Sequence, residues 1–512
     1  MLFSEVNMKK FLSIIIILAS LLLTSCAGTE PADSTEISWI TSVISTTASA
    51  AATSAPWTSA EPTVYTHTEA TTATSSTQGA ITPTSPFVPS GYTRSSNNAV
   101  ETKSKIILAD YTSYESHGLK ATYYYSKADG EFYPFCFDPF CEHKPYTPGS
   151  STISCIGNVI RAESIKNHLY YYNSRIYFVL DGTIYSCSEF ATDLRKEIVM
   201  EDLSYLSKEE YQKRRKQNGG IIIYKFQGDA GSLFFEYVDP DGKVIWYRYN
   251  TETRKLINMT EKIDAAAKKM GIVLYPEEFA GGHIFMFGGK SDSTVSCNYV
   301  ADYELNDIRV YDNYGILVTL FKTNDGLVMY GFYKDGVYES SPDIDYASYS
   351  FVKPDNRNYD IFLLKTDGTT ETLVKNARKT FGFKNTEVLY MNDKYLYFCN
   401  NIYEKIGVEW LSLIKTAQDV MASYDGKIYR YDLKTSEVDV FFESVGDFCD
   451  VRKIDYISEK DSVAIINTQY YVDQNNKIYG FEEYTVETYI IKCHLDENGV
   501  VDDYEIVDFS EI

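Results

Sequence analysis

Three cysteines and one histidine lie close together in the first third of the chain, and these residue types bind transition metals. They are Cys136, Cys141, His143 and Cys155. Three thiolates and one imidazole form a donor set found in structural zinc sites, where four ligands surround the ion tetrahedrally. The sequence therefore offers a candidate zinc site, with a spacing that differs from that of a standard zinc finger.

Two other states of these cysteines remain open at the level of sequence. In an exported protein, oxidation favours a disulfide, which would join Cys155 to Cys141 or to Cys136. In the third alternative, the cysteines are unmodified thiols. The remaining cysteines lack paired spacing and are predicted to be small buried side chains. They are Cys187, Cys297, Cys399, Cys449 and Cys493.

Another cysteine, Cys26, ends the sequence Leu-Thr-Ser-Cys directly after an apolar run over residues 11–23, and two lysines precede that run. A positive segment, an apolar segment and small residues in this order are typical of a bacterial signal peptide. The apolar run is shorter than the roughly 18 residues that indicate a transmembrane helix. We therefore predict a lipoprotein signal peptide over residues 1–25. Cys26 would carry the lipid and hold the protein on the extracytoplasmic face of the cell membrane.

Composition changes after Cys26, because residues 26–98 are dominated by Ser, Thr, Ala and Pro. Such a segment has too little apolar surface to form a core. It is predicted to be a disordered stalk, which would span roughly 45 Å as a relaxed coil.

The remaining residues, 99–512, contain a recurring Tyr-rich strand that runs into a polar turn. Copies occur at 121–130, 183–186, 244–250, 360–368, 427–435 and 489–495, with a weaker copy at 300–305. A second strand precedes most copies, at 167–172, 231–235, 282–287, 394–398 and 462–466. Short strands joined by Asp-Gly turns read as hairpins, and a regular spacing of such units indicates a repeat architecture. We predict an all-β fold, a β-propeller of seven blades. Six or eight blades are alternatives, because the copy at 300–305 is weak and the N-terminal strand could complete the ring.

Three segments break the strand pattern and are predicted to be helical insertions in loops: 201–217, 259–270 and 404–423. Because binding residues concentrate on loops of a rigid scaffold, we expect Trp410 in the third insertion to border a binding face.

Charge and motif content narrow the classes of function. The net charge of −23 argues against nucleic acid, which requires a basic surface. It also leaves the lipid as the main attachment to the membrane. The sequence contains no Gly-x-Ser-x-Gly, His-Glu-x-x-His, phosphate-loop or dinucleotide-binding motif. A binding role is therefore favoured over an enzymatic one.

The signal cysteine, the Ser/Thr-rich stalk, Tyr-rich repeats such as 427–432 and the Cys-x-Asp-Pro-x-Cys-x-His element at 136–143 carry a family resemblance. Together they resemble lipoproteins of Gram-positive bacteria that have TolB-like or low-density-lipoprotein-receptor-like β-propellers. The resemblance implies a fold and a location but no particular activity. A regular Tyr-Trp-Thr-Asp repeat, typical of the receptor propellers, is absent from the sequence.

Two functions are consistent with the sequence. The first is a cell-surface binding or scaffold module for a peptide, a cell-wall glycan or a partner protein. The second is an extracellular hydrolase or lyase acting on a polymer, with carboxylates contributed by different blades. Two carboxyl groups with shifted pKa values in a cleft would favour the enzyme. An exposed aromatic or apolar patch would favour binding.

Overall fold

The computed structural model describes the parts of the chain that form the folded core. They are residues 63–64, 92–94, 99–108, 122–138, 140–142, 153, 155–157, 169–180, 182–199, 223–238, 243–290, 296–311, 317–334, 337–338, 358–383, 386–400, 426–443, 450–473 and 484–507. The chain divides into two units, Met1–Trp57 and Thr58–Ile512, and all of these residues belong to the second. Cys26, His143, Trp410 and the helices predicted at 201–217 and 404–423 lie outside the described residues. Within those parts, no helix is both long enough and apolar enough to span a membrane.

The described strands form seven antiparallel sheets, which are the seven blades of a β-propeller. Two short strands precede the blades: β1 (Thr63–Val64) and β2 (Tyr92–Arg94). Blade 1 contains β3 (Ala99–Glu101), β4 (Lys105–Leu108), β5 (Tyr123–Ser126) and β6 (Phe132–Pro134). Blade 2 contains β7 (Tyr170–Tyr172), β8 (Arg175–Leu180), β9 (Thr183–Ser188) and β10 (Arg195–Val199). Blade 3 contains β11 (Ile223–Asp229), β12 (Ser232–Val238), β13 (Val244–Asn250) and β14 (Lys255–Asn258).

The other four blades follow the same plan. Blade 4 contains β15 (Val273–Ala280), β16 (His283–Gly289), β17 (Ser296–Asp302) and β18 (Arg309–Tyr311). Blade 5 contains β19 (Leu317–Thr323), β20 (Gly326–Lys334), the short β21 (Val337–Tyr338), β22 (Asn358–Lys365) and β23 (Thr370–Val374). Blade 6 contains β24 (Thr386–Met391), β25 (Tyr395–Asn400), β26 (Lys427–Asp432) and β27 (Val438–Glu443). Blade 7 contains β28 (Asp450–Ser458), β29 (Val463–Asp473), β30 (Tyr484–Leu495) and β31 (Val501–Ile506).

Apolar packing between neighbouring blades closes the ring. Among the described residues, each of seven core clusters joins one pair of adjacent blades. The cluster between the first and last blades includes Ile106 and Tyr125 of blade 1 with Ile465 and Ile490 of blade 7. From blade 1 to blade 5, and again from blade 6 to blade 7, the first strands of neighbouring blades contact each other, and the first strand of blade 7 contacts β4 of blade 1. A blade buries its apolar face only against a neighbour, so the ring is stable as a whole.

Within the described residues, blades 1 and 7 are each built from their own four strands, so closure there does not use an N-terminal strand. The two short strands before residue 99 join other sheets. β1 pairs with β10 at the outer edge of blade 2, and β2 pairs with β19, the first strand of blade 5. Both strands fall within the segment 26–98, so part of that segment contributes backbone pairing to the propeller.

The predicted count of seven blades is confirmed, and the repeated Tyr-rich unit is the third strand of every blade. The weak copy at 300–305 overlaps β17, so it does complete the series. The strand predicted at 167–172 is present as β7, but it is the first strand of blade 2, and β8 lies between it and the Tyr-rich strand β9. Asn173 and Ser174 both have positive φ and form a two-residue turn into β8, which a reading based on Asp-Gly turns overlooks.

The helix predicted at 259–270 is confirmed as α1 (Met259–Met270), between blades 3 and 4. Its buried residues Met259, Ile263 and Ala267 are spaced four apart and pack into the core shared by those blades. A second helix, α2 (Ala377–Phe381), was not predicted. With five residues it is too short to show a helical period.

Candidate functional site

The cysteine-containing loop begins where β6 ends, and a buried ring fixes its start. The backbone N–H of Phe135 donates to the carbonyl of Thr122 at 2.6 Å, and the Phe135 ring is fully buried between blades 1 and 2. Cys136 follows directly, at the point where the chain leaves the sheet. The loop therefore starts from a rigid position.

A tight turn then brings the chain back toward Cys136. The N–H of Cys141 donates to the carbonyl of Asp138 at 3.1 Å, and the N–H of Phe140 donates to the Asp138 carboxylate at 2.9 Å. Asp at the first position of a turn and Pro at the second are the residues that such a turn favours. The Asp-Pro sequence thus explains how Cys136 and Cys141 come together.

Cys155 reaches the same place from a separate part of the chain. The hydroxyl of Thr122 donates to the carbonyl of Gly157 at 2.8 Å, which holds the segment 155–157 against the start of β5. Cys155 is buried, while Cys136 and Cys141 are partly exposed. The ligand atoms of the three cysteines lie within 4.8 Å of one another. This cluster could hold a metal ion.

The environment of Cys136 disfavours its thiolate in this state. Burial raises the pKa of the Cys136 thiol, and a hydrogen bond with the backbone of Asp138 acts in the opposite direction. Cys136 also exchanges hydrogen bonds with the thiols of Cys141 and Cys155.

Exposed aromatic rings lie on this loop, on the preceding strand β6 and on the turn after β9, and we call Tyr133, Phe137, Phe140 and Phe190 the aromatic surface. All four are exposed, and 90 % of Phe140 is accessible to solvent. Phe137 packs against Phe190 with ring centroids 5.7 Å apart. Phe190 belongs to the turn after β9, which Ser188 stabilises by accepting a hydrogen bond from the Phe190 N–H at 3.2 Å. The aromatic surface therefore spans the boundary between blades 1 and 2.

The side chain of Lys105 packs against two rings of this surface and against the buried ring of Tyr124. Its side-chain nitrogen lies 3.9 Å from the ring centre of Phe190, 5.4 Å from that of Phe137 and 5.2 Å from that of Tyr124. Lys105 is only 5 % exposed. Burial lowers the pKa of Lys105, and the nearby Glu189 partly opposes that shift. Cation–π attraction to three rings compensates part of the cost of burying the ammonium group and holds the rings in place.

A second group of polar residues lies on the first strands of blades 3 to 5 and on the second strand of blade 3, and we call it the charged cluster. It consists of Lys225, Glu236, Glu277, Glu278 and Lys322. Lys225 pairs with Glu236 at 3.4 Å, and Lys322 of blade 5 pairs with Glu278 of blade 4 at 2.8 Å. Bulges in β11 and β15 fall at Lys225 and Glu277. Bulges of this kind redirect side chains and are common near functional sites.

The pKa values of Glu277 and Lys225 are set first by their surroundings of protein atoms and then by the neighbouring charges. Protein atoms surround Glu277 on several sides although it keeps contact with solvent. This partial loss of water raises its pKa, Lys225 opposes the shift, and the carboxylates of Glu278 and Glu236 add to it. Burial acts to lower the pKa of Lys225, but Glu236 and Glu277 outweigh it and the net shift is upward.

The structure brings together three of the four predicted metal ligands, Cys136, Cys141 and Cys155. Sequence reasoning missed the aromatic surface, Lys105 and the charged cluster. One available signal was the pair Glu277 and Glu278 inside a strand, directly after residues 273–276, which alternate between exposed and buried. Phe190 and Lys105 gave no such signal, because their importance depends on contacts between strands far apart in sequence.

The sequence matches no protein-family model. It also matches no curated protein at a significant level. Among solved structures, a post-proline cleaving enzyme from Rickettsia typhi aligns with a TM-score of 0.29 and 9% identity, over 58% of this chain and 49% of that chain. This chain thus spans about half the length of that enzyme.

Two further solved structures align at a similar level. A TolB-type protein from Agrobacterium tumefaciens aligns with a TM-score of 0.21 and 10% identity, over 65% of this chain and 76% of that chain. A Listeria monocytogenes protein aligns with a TM-score of 0.33 and 10% identity, over 75% of this chain and 92% of that chain. Similarity at this level assigns no activity to the protein.

Proposed function

We propose that the protein is a lipid-anchored cell-surface module whose propeller binds a partner through the aromatic surface. The observation that carries the proposal is the group of exposed rings at the boundary between blades 1 and 2. Exposed aromatic residues grouped in this way mark interaction sites, because water contact with several adjacent rings is unfavourable. Aromatic residues are also enriched where binding energy is concentrated.

The chemistry of the rings favours a peptide or protein over a glycan. Three of the four residues are phenylalanines, which offer no hydroxyl or indole N–H to a sugar. Phe140 is almost fully exposed, so an apolar side chain of a partner could cover it without rearrangement of the propeller. The acidic protein, with a net charge of −23, favours a partner that carries basic residues around that apolar group.

The proposal is tested with the detergent-solubilised full chain on arrays of extracellular peptides and cell-wall glycans. We expect binding to apolar peptides with basic flanks, and a loss of about tenfold or more in affinity for Phe140→Ala. Phe140 makes no ring contact in the described residues, so this variant should fold normally. Ile506→Ala, an exposed apolar residue on blade 7, is the matched control and should bind as well as the parent chain.

The alternative function, a polymer hydrolase or lyase, draws support from the charged cluster. Glu277, with its raised pKa, could donate a proton to a leaving group. Cleavage of a cell-wall polymer that is lost in Glu277→Gln and unaffected by Phe140→Ala would replace the binding proposal with the enzymatic one. Peptide binding that is equal in the parent chain and in Phe140→Ala would also refute our proposal.

A further inference from the structure

The cysteine cluster places three soft ligands at distances suited to one ion. In a tetrahedral zinc site with Zn–S bonds of about 2.3 Å, neighbouring sulfurs lie about 3.8 Å apart. The three sulfurs of the cluster lie within 4.8 Å of one another, so small side-chain rotations bring them to that geometry. Two separate hydrogen bonds already hold the segments that carry them, one to the Asp138 carbonyl and one from the Thr122 hydroxyl.

The composition of the cluster distinguishes a metal from a disulfide. A disulfide would use two of the three sulfurs and leave the third beside it without a role. A metal ion uses all three. Thiolate ligands select zinc over magnesium or calcium, which prefer oxygen. Cys155 is the buried member of the cluster. Cys136 and Cys141 are partly exposed, so a fourth ligand could reach the ion from the solvent side.

We propose that Cys136, Cys141 and Cys155 bind one zinc ion, which fixes the loop that presents Phe137 and Phe140. The two rings lie between the first two ligands in sequence, so a metal joining Cys136 to Cys141 closes a short loop around them. The metal site itself does not depend on the proposed function. Its effect on partner binding does rest on that function.

The first experiment measures zinc in the full chain, purified in detergent without chelators and then supplied with zinc and dialysed. We expect about one zinc per chain, as in structural sites. Cys136→Ser and Cys141→Ser should lose most of it, and both positions are partly exposed, which favours correct folding of the variants. Cys297→Ser is the matched control, because Cys297 is also partly exposed but lies in blade 4, and it should retain the zinc.

Substitution with cobalt provides a second readout of the ligands. We expect thiolate-to-cobalt charge-transfer absorption from the parent chain and from Cys297→Ser, and its loss from Cys141→Ser. Two results would overturn the proposal. One is a parent chain without zinc in which two cysteines of the cluster are oxidised to a disulfide. The other is a parent chain without zinc in which all three react as thiols.

The same samples separate the metal site from the proposed function. Phe140→Ala should bind zinc normally while losing the partner peptide. Removal of zinc from the parent chain should weaken peptide binding if the metal fixes the loop. If zinc content is normal and Phe140→Ala binds the peptide as well as the parent chain, the metal site is supported and the binding proposal is refuted. Peptide binding unchanged by zinc removal would refute the role of the metal in fixing the loop.

Discussion

Glu277 shows how a single residue links the electrostatics of neighbouring blades. It lies at a bulge in β15, beside Lys225 at a bulge in β11, and Lys225 has a positive φ of 44°. A positive φ is costly for a residue with a side chain. This backbone position brings the Lys225 ammonium near two carboxylates, and the pKa of Glu277 is raised despite that positive charge.

The raised pKa of Glu277 predicts how stability depends on pH. The folded state holds this proton more tightly than the unfolded chain, whose reference pKa is 4.5. Below the unfolded-state pKa of 4.5, the protonated carboxyl contributes to the stability of the folded state. This stabilisation is lost as pH rises through the higher folded-state pKa. We expect Glu277→Gln to be more stable than the parent chain at pH 7 and equally stable at pH 4, as measured by urea unfolding.

A matched control for this prediction is Glu443→Gln. Glu443 is exposed on the outer strand of blade 6 and pairs with Lys427 at 2.9 Å, so its replacement removes the same charge from a different place. It should not reproduce the gain at pH 7. If the free energy of unfolding of Glu277→Gln differed from that of the parent chain by the same amount at pH 7 and pH 4, the raised pKa of Glu277 would be contradicted.

Among the secondary-structure elements, the third strand of each blade was predictable from the sequence because each copy contains apolar and aromatic residues that alternate with other residues. In β26, for example, buried Ile428 alternates with partly buried neighbours. The helix α1 was predictable for a similar reason, since its apolar residues recur every four positions. The bulges in the first strands were not predictable, because an extra residue in one strand is defined only by its pairing with the next.

The start of α1 offers a test at this scale. The Asn258 side chain accepts a hydrogen bond from the Glu261 N–H at 3.2 Å and donates one to the Glu261 carboxylate at 3.0 Å. Replacement of such a cap by alanine costs about 1 kcal/mol. We expect Asn258→Ala to lower the free energy of unfolding by about that amount in urea titration.

Asn258→Ser is the informative companion variant, because a serine hydroxyl can accept the same hydrogen bond from the Glu261 N–H. It should retain most of the stability that Asn258→Ala loses. Equal losses in the two variants would mean that the cap contributes little. The stability of α1 would then come mainly from Met259, Ile263 and Ala267 in the core.

For the whole molecule, we still predict that Cys26 carries the membrane anchor. The lipid attaches at the cysteine after signal cleavage, so Cys26→Ala should incorporate no labelled fatty acid and should leave the membrane fraction. The readouts are metabolic labelling and cell fractionation. Cys297→Ala, a change within blade 4, is the control and should remain acylated. An acylated, membrane-bound Cys26→Ala chain would overturn the prediction.

The sequence by itself determined what depends on neighbouring residues. Tyr-rich strands indicated the all-β class and a propeller of seven blades, with six or eight left open. The position of α1 was also indicated, and Asp138 is a residue typical of the turn that brings Cys141 back toward Cys136. These properties follow from local backbone preferences and from periodicity along one segment.

Only the tertiary structure decided which distant segments meet. It brought Cys155 to the other two cysteines, Phe190 of blade 2 to Phe137 of blade 1, and Glu277 of blade 4 to Lys225 of blade 3. Such contacts form because each blade buries its apolar face against the next until the ring closes. The relative positions of residues on different blades come from that packing, and no local pattern in the sequence encodes them.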